Sequence, residues 1–249
     1  MVDLTKRTDT AQGAIISLLK READKGIDLG EVSARVVVAI DYSASMTARY
    51  ENGEVQDLVE RVLALSLAGL DDDGDIQVHF FHNAAFDVEV VDSSSYVGFV
   101  DRWRSGRPMG GTNYGDVIKN VLAEAGHGKA GLGKRLFGGR KAAPSSSGPA
   151  TLPTLVLFVT DGEPFDKAAA RKLLAEASDK PVFWQFLGLG YSPTFLSDLD
   201  TMGGRVVDNV GLTSMSSSKG TPDEQWFHSV LEEYVTSWVP AARRAQILA

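Results

Sequence analysis

Two apolar runs dominate the hydropathy pattern: residues 35–40, Arg-Val-Val-Val-Ala-Ile, and residues 155–160, Leu-Val-Leu-Phe-Val-Thr. They are continuous rather than alternating, as expected of parallel strands covered on both faces. Between and after them the period changes. Ala14, Ile15, Leu18 and Leu19 recur at helical spacing and end in a charged stretch stopped by Gly26. A helix is predicted over about 55–70, closed by Gly74 after the Asp71-Asp72-Asp73 turn. Two strands follow at 76–81 and 86–91, then a short aromatic helix at 96–103. Residues 105–111 form a glycine-containing loop, from which Thr112 opens a helix to about 125. Beyond the second apolar run, the pattern predicts a helix at 166–178, a strand at 182–187, a helix at 193–202 and a short strand at 205–207. A last helix at 223–239 starts from Thr221 as N-cap with Pro222 in its first turn. Such alternation predicts an α/β fold, doubly wound, with a mostly parallel central sheet flanked by helices on both faces.

One stretch breaks the alternation. Residues 126–150 carry six glycines up to Gly139, the cations Lys129, Lys134, Arg135, Arg140 and Lys141, and no acidic residue. This composition predicts a flexible basic insertion on the surface. The division of the chain is therefore an N-terminal helical extension at 1–33 and one domain at 34–249 that contains the insertion.

Composition narrows the setting. A chain of 249 residues with 43% hydrophobic content can bury one large core. It has no cysteine, so disulfides and thiolate metal sites are excluded, in keeping with a reducing compartment. The start shows no signal-peptide pattern, and no run approaches the roughly 20 apolar residues of a membrane span. These features place the expected location in the cytoplasm, away from a membrane. The 25 basic and 33 acidic residues give a net charge of −8, which disfavours nucleic-acid partners.

The candidate chemistry lies in three separate places. Asp41, Ser43 and Ser45 stand in Asp-Tyr-Ser-Ala-Ser, Thr112 in Gly-Gly-Thr-Asn, and Asp161 in Thr-Asp-Gly-Glu-Pro. The first and third follow predicted buried strands directly, where open α/β sheets bind their ligands. Two carboxylates and three hydroxyls suit a hard divalent cation, most simply Mg²⁺, with Mn²⁺ or Ca²⁺ also compatible. Three neutral donors leave such a cation able to accept a further carboxylate from outside.

Asp41-x-Ser43-x-Ser45, Thr112 and Asp161 together resemble the metal-ion-dependent adhesion site of von Willebrand factor A (vWA) domains. Finer similarity to the bacterial tellurium-resistance, TerF-like branch is carried by Val59-Glu-Arg-Val-Leu, Gly111-Thr-Asn-Tyr, Leu157-Phe-Val-Thr-Asp-Gly-Glu-Pro, Phe183-Trp-Gln-Phe-Leu-Gly-Leu-Gly and Gly203-Gly-Arg-Val-Val-Asp-Asn. The resemblance implies that Ser43, Ser45 and Thr112 hold the metal directly, with Asp41 and Asp161 anchoring waters. It also implies a non-enzymatic module of a tellurite-resistance or stress-response system. A protein partner would present an acidic side chain to the cation.

Competing readings are weaker. Gly128-Lys-Ala-Gly-Leu-Gly-Lys imitates a phosphate-binding loop, but Arg135 stands where a metal-holding Ser or Thr belongs. His79 and His82 are too few for a zinc site, and Trp184 and Phe186 read as core. Glu163 reads as an exposed rim residue, and Asp71 to Asp75 as a solvated turn. A metal-dependent phosphohydrolase is the enzymatic alternative. Such enzymes need a second carboxylic acid two positions after the first aspartate, and Ser43 occupies that place. A scaffold that binds partners away from the metal is the third reading.

Overall fold

The computed structural model describes residues 3–127, 152–190 and 193–248. Most of the glycine-rich basic insertion and the whole imitation phosphate loop lie outside these residues. In chain order the main elements are α1 (Leu4–Asp24), β1 (Arg35–Asp41), α2 (Thr47–Glu51), α3 (Glu54–Leu65), β2 (Ile76–Phe81), β3 (Glu89–Val91), α4 (Phe99–Arg104) and α5 (Gly115–Glu124). They continue as β4 (Thr154–Thr160), α6 (Lys167–Glu176), β5 (Val182–Leu189), α7 (Thr194–Asp200), β6 (Val210–Met215), α8 (Asp223–Glu233) and α9 (Val239–Arg244).

The strands form one sheet in the order β3-β2-β1-β4-β5-β6. Every pairing is parallel except that of β3 with β2. The predicted doubly wound architecture is therefore present. One face is covered by α1, α3, α4, α8 and α9, and the other by α5, α6 and α7, each over its own apolar cluster. Strands β1, β4 and β5 are buried along nearly their whole length, which explains their unbroken apolar runs.

Helix α1 buries Ala11, Ala14, Ile15 and Leu18 against α3 and α8. Arg7 is buried with them and ion-paired to Asp57, to Glu60 at 3.3 Å and to Asp223 at 3.2 Å. Arg61 pairs with Asp57 and Asp223, each at 3.1 Å. Both arginines thus meet acids of α3 and α8.

Several local expectations are corrected. The last strand runs over Val210–Met215 and not over 205–207. Arg205 instead turns back to donate to the carbonyls of Met202 and Asp200, closing the end of α7. Buried Asn209 donates to Leu174 O at 3.0 Å and starts the strand. The helix expected over 55–70 is present as α3 continued by a wider turn at Ser66–Leu70, and it is Gly69, with φ of +88°, that breaks the helical geometry before Gly74 is reached. Asp71 is not a solvated turn residue: it is mostly buried and accepts from Val36 N at 2.6 Å at the entrance of β1. Thr221 donates to Ser217 O and does not cap α8. The last helix passes through a wider turn at Tyr234–Trp238 and continues into α9.

Candidate metal centre

The sheet order turns at β1: β2 lies on one side and β4 on the other. Loops leaving the carboxyl ends of the adjacent strands β1 and β4 lead to helices on opposite faces, and a crevice between them is the place where such sheets bind ligands. Asp41 ends β1 and Asp161 directly follows β4, so the topology itself brings two carboxylates together from positions 120 apart in number.

Asp41 is wholly buried and held through three of its oxygens. Its Oδ1 accepts from Ser43 N at 2.8 Å, its Oδ2 from Thr160 Oγ1 at 2.7 Å, and its carbonyl from Tyr50 OH at 2.9 Å. Burial pushes its carboxyl up to about 6, although the hydrogen bonds from Thr160 and Ser43 oppose the rise. Beyond it, Ser43 Oγ lies 3.1 Å from Ser45 Oγ, and Ser45 Oγ donates to Asp161 Oδ1 at 2.6 Å. Asp41, Ser43, Ser45 and Asp161 therefore form one connected set of oxygens.

Thr112 arrives from a third segment. The glycine loop runs alongside the end of β1, with Ala44 N donating to Gly110 O at 3.0 Å and Gly110 N to Tyr42 O at 3.3 Å. Gly110 must lack a side chain, because a Cβ there would stand 2.7 Å from Asn83 Oδ1 and 3.0 Å from the His82 ring. Asn83 also receives the Gly111 amide, and Asn113 N donates to His82 O at 2.8 Å. On the other side Phe165 N donates to Thr112 O at 2.9 Å. Among the described residues the Thr112 hydroxyl has no hydrogen-bond partner. A Cβ on Gly162 would lie 3.7 Å from Ser45 Oγ and 3.8 Å from Thr112 Oγ1, so both hydroxyls face the same small space.

Contrary to expectation, Thr112 does not open a helix: α5 begins at Gly115. Its amino end is held by Asp166, whose two carboxylate oxygens accept from Tyr114 N at 2.9 Å and Gly115 N at 2.7 Å. Tyr114 OH in turn donates to Gly162 O at 2.7 Å. The loops carrying Thr112 and Asp161 are thus tied together by residues that are not candidate donors.

The donor set fits a hard divalent ion. It offers five donor side chains of which two are carboxylates; among the described residues the fully buried Asp41 carboxylate has no cation in contact, and the Thr112 hydroxyl has no protein acceptor. All five sequence-predicted positions meet at this one place. The other candidates do not. Glu163 is exposed at the rim, paired with Lys167 and accepting from Thr194 Oγ1 at 2.8 Å. His79 is buried at a distance in the sheet, and His82 Nδ1 accepts from Ala84 N at 3.3 Å. Trp184 and Phe186 are fully buried.

Sequence reasoning missed Thr160, Tyr50, Tyr114, Asp166 and Arg49. Thr160 carried a usable signal, a hydroxyl at a strand end beside Asp161. Tyr50 acts nine positions away through a backbone carbonyl, and Tyr114, Asp166 and Arg49 act across long sequence separations.

Comparison with known proteins gives the family and the fold. The family model described as the vWA found in the TerF C terminus matches residues 33–132 and 142–248. The uncharacterized protein YcbR of Bacillus subtilis (strain 168) is 30% identical over 225 residues, covering 88% of this chain and 83% of that protein. Among solved structures, the SpRpn10 VWA domain aligns with a TM-score of 0.50 at 12% identity, covering 78% of this chain and 93% of that one. Proximal thread matrix protein 1 from the mussel byssus aligns at 16% identity and a TM-score of 0.48 over 82% of this chain. The chain spans about half (48%) of that structure. The likeness to solved structures concerns the fold.

Proposed function

Because the chain belongs to the vWA family found at the TerF C terminus, we propose that it is a metal-dependent protein-binding module, not an enzyme. The observation that carries this reading is the convergence of Asp41, Ser43, Ser45, Thr112 and Asp161 at the turning point of the sheet. A bound Mg²⁺, Mn²⁺ or Ca²⁺ would supply an electrophilic point able to accept a carboxylate from a partner. The chain's own residues do the rest. Thr160 and Ser43 orient Asp41, Ser45 orients Asp161, and the Gly110–Gly111 loop presents the Thr112 hydroxyl on a backbone stitched to β1. The partner is a protein with an acidic side chain. We place it in a cytoplasmic stress-response assembly of the tellurite-resistance type. Among the described residues no helix is long and apolar enough to cross a membrane.

Hydrolysis is disfavoured by the groups around the hydroxyls. His82 lies against Gly110, yet its Nδ1 faces the Ala84 amide, and among the described residues no hydrogen bond joins it to Ser43 or Ser45. Among the described residues no histidine is hydrogen-bonded to either serine, and the carboxylate that Ser45 meets, Asp161, is one of the proposed cation donors. Calorimetric titration with Mg²⁺ tests the proposal: one ion per wild-type chain, and binding lost in Asp41→Ala. Thr112→Ala should weaken binding at least about 10-fold, the loss of one oxygen ligand, with the melting temperature unchanged. Cation-independent capture of the physiological partner would move the interaction to another surface.

A further inference from the structure

Arg49, on α2, is the one cation in contact with a donor carboxylate among the described residues. Its Nε lies 3.7 Å from Asp161 Oδ2, while Asp161 Oδ1 is engaged by Ser45 Oγ. The two oxygens of Asp161 therefore face different neighbours. A second arginine nitrogen, Nη1, meets Glu54 Oε2 at 2.9 Å. Glu54 is itself buried and fixed by Ser217 Oγ at 2.9 Å and Ser218 N at 2.6 Å. Gly190 makes room for the guanidinium: a Cβ there would stand 2.5 Å from Arg49 Nη2. The side chain is only 16% exposed, so the arginine is built into the wall of the crevice and is not a loose surface charge.

We propose that Arg49 is a specificity-determining residue of the cation site, lowering its affinity for a bare divalent ion and favouring the ion together with an anionic group. This rests on the cation site proposed above. Two effects of opposite sign compete. By holding Asp161 in one rotamer, Arg49 helps cation binding by about 3-fold. Its positive charge, a few ångströms from where a doubly charged ion would sit, opposes binding on the order of 10-fold even with near-bulk screening. Glu54 offsets part of that charge, but it contacts a different nitrogen and has no contact with Asp161. Repulsion wins. The same charge attracts an incoming carboxylate, so the ion and a carboxylate stabilise one another at this site.

The test uses Mn²⁺ alone, titrated calorimetrically into the full chain as wild type, Arg49→Met, Arg49→Gln and Arg49→Lys, with folding checked by circular dichroism in EDTA. Either neutral variant serves if the other fails to fold. A neutral variant is expected to bind Mn²⁺ about 3-fold more tightly, the net of the two effects. Arg49→Lys, which keeps the charge and loses the fork, stays at or below wild-type affinity. Replacing chloride by acetate at equal ionic strength should tighten Mn²⁺ in wild type more than in the neutral variant. Unchanged or weaker Mn²⁺ binding in the neutral variants overturns the proposal while leaving the cation site standing, and an equal acetate response in all chains overturns the pairing with an anion. Binding in a neutral variant but not in wild type would sink the proposed function and uphold Arg49 as a repulsive group; silence in every chain overturns both.

Discussion

Acid should destabilise this protein through His79, and replacing that residue should remove the effect. His79 lies on β2 on the same side of the sheet as Phe81, the face covered by α5. It is 1% exposed, and neither ring nitrogen has a hydrogen-bond partner. Burial, with a smaller contribution from the charge of Arg35, lowers its pKa from 6.5 to about 4. The folded state therefore keeps the ring neutral, whereas the unfolded chain takes up a proton below 6.5. Stability is lost as pH falls from 6.5 towards 4, with a limit of about 3 kcal/mol and roughly 2 kcal/mol already lost at pH 5. The buried carboxyls of Asp41 and Asp71, raised to about 6, and the half-buried carboxyl of Glu233, raised to about 7, act in the opposite sense, because acid relieves their desolvated charge. Their contributions are common to wild type and His79→Leu. Urea unfolding of both chains in EDTA at pH 7 and pH 5 isolates the histidine. At pH 7 His79→Leu should be equal to wild type or more stable by about 1 kcal/mol, since two orphaned nitrogens disappear. At pH 5 its advantage should grow by roughly 2 kcal/mol. An advantage that stays constant between the two pH values refutes the reasoning.

Two further outcomes test the packing around the site. Asp166→Ala removes the acceptor for two amides at the amino end of α5 and should cost about 1–2 kcal/mol in urea unfolding, with Mg²⁺ affinity falling as the Thr112 loop loosens. Arg7→Met leaves Asp57, Glu60 and Asp223 short of a buried counter-charge and should cost about 3 kcal/mol, read by the same unfolding assay, without altering cation binding measured at saturating stability.

The parts of the fold that could be read from the sequence are those whose burial is two-sided. β1, β4 and β5 lie inside the sheet with helices over both faces, so nearly every position must be apolar and the runs are unbroken. β6 is an edge strand of mixed composition, Val-Gly-Leu-Thr-Ser-Met, with only its first residues buried. The nearby Arg-Val-Val imitates a strand better than the strand does, but Val206 is exposed and Arg205 is used to close α7. Hydropathy reports burial, and an edge strand is defined by its hydrogen bonds to one neighbour.

The same distinction separates the donors of the site from the residues that hold them. Asp41 and Asp161 could be read because each stands at the end of a strand that could itself be read, and parallel strands deliver their ends to one side of the sheet. Asp166 looks in sequence like the start of α6, and it does lie there, but its carboxylate serves α5 across 52 and 51 positions. Tyr50 reaches the carbonyl of Asp41, and Tyr114 reaches the carbonyl of Gly162. These are side chains answering backbone groups, so no pairing of complementary side-chain types marks them in the sequence. Such links bind the three loops before any ion arrives, and their geometry means that the cost of assembling five oxygens is met by folding. On the proposed function a cation would then need only to displace water and reorient hydroxyls, so substitutions at Tyr50, Tyr114 or Asp166 should lower cation affinity through misplaced donors as well as lowering stability.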